Sequence, residues 1–397
     1  MRSWLGLAGL GVTLMGGCST SGLDGGVYVA SGGAAGPGAA PGSGGTVGAG
    51  GGAALSGGAT GSGSAATTGG GTATGGAVAS SGGANGSGGA SEGGGTGGAV
   101  SATGGAPSNL PPKFIGNIVH KNNDIIPDFA DKWMQVSMEA NSKWGFVQPK
   151  SASDWVWGPV EAAYDYALEH GIIYKEHAFF WNFEQPSWVT TDNVAASAEV
   201  WIQTFCQKFP DTVMIDVVNE PTYHAPPYKD GLGGDGASGY DWIVNAFKMA
   251  DQYCPNAILI INDYNIIEWP DDHDNFVSIL QAVLAAGAPI DAIGAQGHDV
   301  ADAGVPAAKE FIDHFTETFG LPIYITEFDV DRADDQEQLA IMQEAITMFW
   351  EHPNVHGITY WGFQEGLMWA PTAYLVSSGG TERPAMTWLM DFVATHR

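Results

Sequence analysis

The chain has 397 residues and a formal net charge of −29. All but one of its 14 Lys and Arg, and all but two of its 43 Asp and Glu, lie after residue 112. Such a field repels nucleic acid and acidic polymers, and it does not discourage a neutral ligand.

In chain order, residues 1–18 (MRSWLGLAGLGVTLMGGC) read as an export signal. Arg2 is followed by an apolar stretch too short to span a bilayer, and then by small residues. The LMGGC ending is similar to a bacterial lipoprotein signal, with Cys18 as the lipid acceptor and Leu14 one place further from it than usual. A secreted or surface-anchored protein is expected, meeting the membrane only through that lipid. Residues 19–112 are almost wholly Gly, Ala, Ser and Thr. They have too little large apolar surface to offset the entropy of ordering. A flexible tether with a reach of roughly 50–60 Å is expected.

Residues 113–397 have the length of one eight-stranded α/β barrel. Eight short apolar runs stand out: FIGNIV (114–119), WMQVSME (133–139), IIYKEHAFFW (172–181), VMIDVVNE (213–220), AILIINDYN (257–265), DAIGAQGH (291–298), PIYITEFD (322–329) and VHGITYWG (355–362). Amphipathic stretches such as VEAAYDYALEHG separate them, several ending in Gly. Alternating strands and helices predict a parallel sheet, and eight repeats predict a (β/α)8 TIM barrel. Cys206 and Cys254 each fall near the end of one of two consecutive helices. A disulfide worth about 3–4 kcal/mol and two buried free thiols both fit that placement.

The runs end in polar groups, where a barrel of this type places its chemistry. The second ends in Glu139, with Lys143 beyond it; the third carries His177 and Trp181, and the fourth Asn219 and Glu220. Asn262, Asp263, Tyr264 and Asn265 close the fifth, Gln296 and His298 the sixth, Glu327 and Asp329 the seventh, and Trp361 the eighth. Glu220 and Glu327 are far apart in sequence, yet closure brings strands four and seven to one mouth. Retaining glycoside hydrolysis needs two such carboxyls about 5–5.5 Å apart, one donating a proton and one attacking the sugar. Asn219 is placed to read a substrate hydroxyl, and His298 and Gln296 to hold Glu327 ionised.

In this setting VVNEP, GAQGHD, INDYNI and ITEFDV resemble glycoside hydrolase family 10, the barrel-type xylanases. MEANSKW, EHAFFWNFEQPSW and TYWGFQEGLMW are similar to further segments of that family, so the resemblance covers nearly all of 113–397. It implies a retaining endo-β-1,4-xylanase acting on neutral plant cell-wall xylan, with Glu220 as acid/base and Glu327 as nucleophile. Asn219, Gln296 and His298 are implied as supports. Glu139, Lys143, His177, Trp181, Trp361 and Trp369 are implied to hold sugars, with Tyr264 near the cleavage point. Flat indole and phenol faces suit sugar rings independently of the resemblance. Trp201 and Trp388 are expected to pack rather than bind. The chain departs from the family at Ala140, where an Asn is usual, and at Asn182 and Glu184, where His and Gln are usual. A lost hydroxyl contact costs about 1–3 kcal/mol, which leaves another β-glycan (glucan, mannan or a decorated xylan) as the alternative substrate.

A carbohydrate-binding protein without catalysis is a competing class, opposed by retention of both glutamates. A metalloenzyme would draw on His298, Asp299 and Asp302, but no second His stands at ligand spacing. No metal and no cofactor are expected, and the molecule is expected to be a monomer.

Overall fold

A computed structural model of the protein describes residues 111–123 and 125–396. The expected export signal, Cys18 and all but the last two residues of the 19–112 segment lie outside the described residues.

Every apolar run singled out in the sequence contains a strand: β1 Ile115–Val119, β2 Gln135–Met138, β3 Ile173–Phe180, β4 Met214–Asn219, β5 Ile258–Asp263, β6 Ala292–Ala295, β7 Ile323–Phe328 and β8 Val355–Tyr360. They pair in sequence order as a closed barrel. All pairings are parallel, and closure is made where Ile115 meets Ile358. The β-branched and aromatic content of these runs suits strands buried on both faces. Around them lie helices Gly158–His170, Val194–Lys208, Asp241–Tyr253, Pro270–Ala285, Val305–Phe319 and Asp335–Glu351, and a last helix, Pro384–His396, packs beside the sixth of these.

Local chemistry sets the helix ends. Asp334 caps Asp335–Glu351, its side chain accepting from the backbone N–H groups of Gln336 and Glu337. Gly171 ends Gly158–His170 in the left-handed conformation that glycine adopts without steric cost.

The main core lies between the sheet and the helices, and Trp201 is fully buried there among Trp144, Trp157 and Phe205. Trp388 packs against the same core. A second cluster, including Phe114, Met214, Ile260 and Tyr324, fills the barrel interior. Ladder irregularities fall between His177 and Phe180, between Asp216 and Val218, and between Ile325 and Phe328. Those are the strands carrying His177, Asn219 and Glu327, and such bulges re-aim side chains near the mouth.

Cys206 and Cys254 form a disulfide joining consecutive helices, with Cα atoms 5.4 Å apart and a sequence separation of 48. Of the two alternatives the sequence left open, the structure has the bond. Closing a loop of that length constrains the unfolded chain by about 4 kcal/mol. Reduction, or the C206A/C254A double variant, is expected to lower unfolding free energy by that order in urea titration. Equal midpoints would exclude the contribution.

Candidate active site

Strand β4 ends the apolar run Met214–Val218 with Asn219, and Glu220 follows in the left-handed region at φ 55°. A non-glycine residue pays for that conformation, and such outliers concentrate where function fixes geometry. The Glu220 backbone N–H donates to the carbonyl of Asn262 on β5 at 2.7 Å, which pins the turn. Thr222 ties the following loop down by donating its N–H and hydroxyl to Asp263, at 3.0 and 2.6 Å.

The Glu220 carboxylate accepts from Trp181 Nε1 at 2.8 Å, from Gln296 Nε2 at 3.0 Å and from Asn219 Nδ2 at 3.3 Å. His224 Nδ1 lies 2.7 Å from its Oε2. Gln296 therefore corrects one expectation. Its side chain serves Glu220, and only its backbone carbonyl meets Glu327, accepting from that residue's N–H at 3.0 Å.

Glu327, on β7, is buried. Its Oε1 accepts from Asn262 Nδ2 at 2.8 Å, and the same amide donates to Asn219 Oδ1 at 2.7 Å. Asn262 and Asn219 thus bridge the two carboxylates. Gly294 on β6 makes room, because a Cβ there would sit 2.5 Å from Asn262 Oδ1.

The charges around Glu327 are positive. His298 Nε2 is 3.4 Å from its Oε2, and His177 Nδ1 is 4.0 Å from its Oε1. Burial alone pushes the carboxyl up. The charge of His177, the hydrogen bond and charge of His298 and the charge of Lys175 outweigh it and bring Glu327 down to about 2. His298 is in turn pinned by Asp329, 2.8 Å from its Nδ1. Burial would lower His298, but Asp329 and Glu327 together hold it up at about 10, a standing imidazolium. Behind His177, Asp216 lies 2.8 Å from Nδ1 and pairs with Lys175 at 2.6 Å. Glu327 is therefore an ionised carboxylate in a cation-lined, largely dry position.

The aromatic and polar residues expected to bind sugars surround this pair. Trp361 is buried edge-on to His177, with ring centroids 5.1 Å apart. Trp369 is 54% exposed and donates Nε1 to Asp329 at 2.6 Å, so the ring is held rather than loose. Lys143 lies 4.2 Å above the Trp181 ring and pairs with Glu184 at 2.8 Å. Glu139 accepts from the Lys121 N–H and faces His120 at 3.4 Å. Tyr264 stacks on His224 at 5.6 Å. Trp369 also meets the His298 ring at 4.7 Å, beside Glu327, and Lys143 reaches the Trp181 ring that donates to Glu220.

Several working groups escaped sequence reasoning. Asp216 carried a signal, as a lone acid within an otherwise apolar strand. Asn262 and Asp329 stood among the polar strand ends, but nothing local indicated their partners. His224, on a loop, carried no signal beyond lying four residues after Glu220.

Among the described residues, no group of three or more His, Cys, Asp or Glu is arranged to hold a metal ion. Both ring nitrogens of His298 face carboxylates, Asp299 accepts from Trp269, and Asp302 pairs with Arg332.

In the segment after β5, Glu268 is buried, and burial pushes its carboxyl up to about 8. The folded state then holds a proton that the unfolded chain releases near 4.5, its ordinary value. Stability from this group is complete below pH 4.5 and declines towards pH 8, by about 1.4 kcal/mol per pH unit. Glu268→Gln is expected to flatten that slope in denaturant titrations between pH 5 and 8. An unchanged slope would exclude a buried, protonated Glu268.

A closed parallel barrel whose mouth joins two carboxylates through amides, one of them ionised among cations, defines a barrel enzyme working with paired acids. Residues 112–392 match the model of glycosyl hydrolase family 10. The chain belongs to that family. The endo-1,4-beta-xylanase B of Cellvibrio japonicus (strain Ueda107) is 40% identical over 282 residues, which is 70% of this chain and 45% of that protein. The chain thus spans less than half the length of that relative. A second relative, endo-1,4-beta-xylanase B of Thermotoga neapolitana, is 29% identical over 65% of this chain and 80% of its own length. Among solved structures, xylanase 10B of Thermotoga petrophila in complex with xylobiose superposes with a TM-score of 0.61 at 22% identity, covering 72% of this chain and 95% of that one. A family 10 protein of Paenibacillus barcinonensis gives 0.64 at 21% identity, covering 72% and 96%. At those identities the likeness concerns the fold.

Proposed function

We propose that the chain hydrolyses β-1,4-xylan internally with retention of configuration, with Glu327 as nucleophile and Glu220 as acid/base. The observation that carries this is the unequal pair. Glu327 is anionic in a buried, cation-lined position, and Glu220 is linked to it through Asn262 and Asn219. In the first displacement, Glu327 attacks the anomeric carbon while Glu220 protonates the departing oxygen. In the second, Glu220 takes a proton from water, and the water oxygen displaces Glu327.

The surroundings fit those roles. His298, His177 and Lys175 keep Glu327 ionised, as a nucleophile must be. Trp181, Gln296 and Asn219 fix the direction of the Glu220 carboxyl, which governs the geometry of proton transfer. Trp361 and Trp369 supply flat faces for sugars on the glycone side, and Tyr264 does so beside Glu220. The 40% identity to the Cellvibrio xylanase supports xylan as the polymer.

Incubation with xylan followed by assay of new reducing ends tests the reading; no release would overturn it. Endo action predicts a rapid fall in polymer viscosity with few ends formed. The Lys143–Glu184 pair favours testing a second reading. A carboxylate engages the lysine where the family has a neutral amide, so glucan, mannan and decorated xylans belong in the same panel.

We further propose, from the sequence of residues 1–112, that the enzyme is exported and tethered through Cys18. Metabolic labelling with a radioactive fatty acid, compared with Cys18→Ala, tests that.

A further inference from the structure

His224 has no part in the mechanism above, yet its Nδ1 is 2.7 Å from Oε2 of Glu220. The ring is fixed in place. Tyr264 stacks on it at 5.6 Å with 22° between planes, and Phe183 meets it edge-on at 5.1 Å. The side chains are 30% exposed for His224 and 12% for Glu220. The other contacts of the Glu220 carboxylate, from Trp181, Gln296 and Asn219, come from groups that do not titrate. His224 is thus the one ionisable group in hydrogen-bonding contact with that carboxylate among the described residues.

We propose that His224 and Glu220 form a proton-sharing pair, and that the acid function of the enzyme belongs to the pair rather than to Glu220 alone. The inference rests on the assignment of Glu220 as acid/base.

Before the first displacement the pair holds one labile proton, either on the carboxyl with neutral imidazole accepting, or on the imidazole with carboxylate accepting. The proton moves from Glu220 to the glycosidic oxygen as the C–O bond breaks, leaving carboxylate beside neutral His224. In the second displacement, a proton of the attacking water returns to the pair as the water oxygen bonds to the anomeric carbon. Protons and electrons balance over the cycle, and no further reactant is needed.

A proton with two resting places is lost at higher pH than it would be from either group alone, because the two tautomers add in the equilibrium. The pair should therefore carry the alkaline limb of activity upward. The contact itself and one neighbouring charge act in the same sense. The hydrogen bond to Glu220 raises His224 above the ordinary imidazole range against the effect of burial, and the charge of nearby Asp263 adds to it. The Tyr264 hydroxyl is itself pushed upward by burial, so it stays neutral through this range.

The test is kcat/KM on xylohexaose against pH for wild type, His224→Gln and His224→Phe. Gln keeps a hydrogen-bond donor but cannot hold the extra proton. In both variants the alkaline limb should move down, by about 0.3 pH unit where the two tautomers are equally populated and by more as the imidazolium form predominates, and aryl xylobiosides should show a steeper dependence on leaving-group basicity. Coincident limbs in wild type and His224→Gln would overturn the proposal. So would a loss that is uniform across pH and leaving groups, which indicates a purely structural role. If wild type does not cleave xylohexaose at all, the functional reading fails instead, so the two failures are distinguishable.

Discussion

Glu327→Gln should lower kcat on xylan by about 10⁵-fold, the scale of losing a nucleophile from a site whose remaining parts are intact. The amide is isosteric but neutral and cannot form the glycosyl ester. KM should change far less, because the sugar-binding rim is untouched. The variant also removes the countercharge of His298 and His177. Breaking a buried pair from one side costs about 3–5 kcal/mol, so a lower unfolding midpoint should accompany the loss of activity. His298 should titrate lower once one of its two carboxylates is gone. NMR of the imidazole would show that directly, and it separates loss of nucleophile from misfolding. Added azide offers a chemical check on Glu327→Ala. A small anion in the vacated space should restore turnover and yield a product of inverted configuration. A Glu327→Gln enzyme within about 100-fold of wild type would remove Glu327 from the nucleophile role.

The sequence disclosed the barrel because its strands are apolar runs that stop at polar residues, with Gly-ended amphipathic segments between them. It disclosed Glu220 and Glu327 because a carboxylate at a strand end has little structural purpose in a chain with so few cations. It did not disclose which neighbour each polar group would choose. Gln296 shows why. Its place at the end of β6, next to β7, suggested Glu327, but its amide crosses β5 to reach Glu220, just after β4. That choice depends on Asn262 already occupying Glu327 and on Gly294 leaving Asn262 space. Strand periodicity gives the face of a residue, while partners follow from stagger and side-chain length. The Lys143–Glu184 pair and the His224 contact were hidden for the same reason, both resting on loop conformations: Glu184 itself lies at φ 56°.

Glu220→Ala should be less damaging on xylan, at about 10²–10⁴-fold, and with a different signature. The loss should scale with leaving-group basicity. A xylosyl alcohol cannot leave unprotonated, whereas a dinitrophenolate can. On dinitrophenyl xylobioside the first displacement should therefore persist and the second should stall, because no base remains to activate water. A burst of dinitrophenol equal to the enzyme concentration should appear, and mass spectrometry should find the sugar bonded to Glu327. Azide should accelerate turnover of this variant and give a product of retained configuration, opposite to that expected for Glu327→Ala. Truncation also frees Trp181 Nε1 and Gln296 Nε2 of their acceptor. A stability measurement must therefore accompany the kinetics, and the Glu220→Gln variant, which keeps an acceptor oxygen, should show the same leaving-group pattern. A loss of equal size for xylan and dinitrophenyl xylobioside, with no burst, would mean that Glu220 positions substrate and that the proton comes from elsewhere.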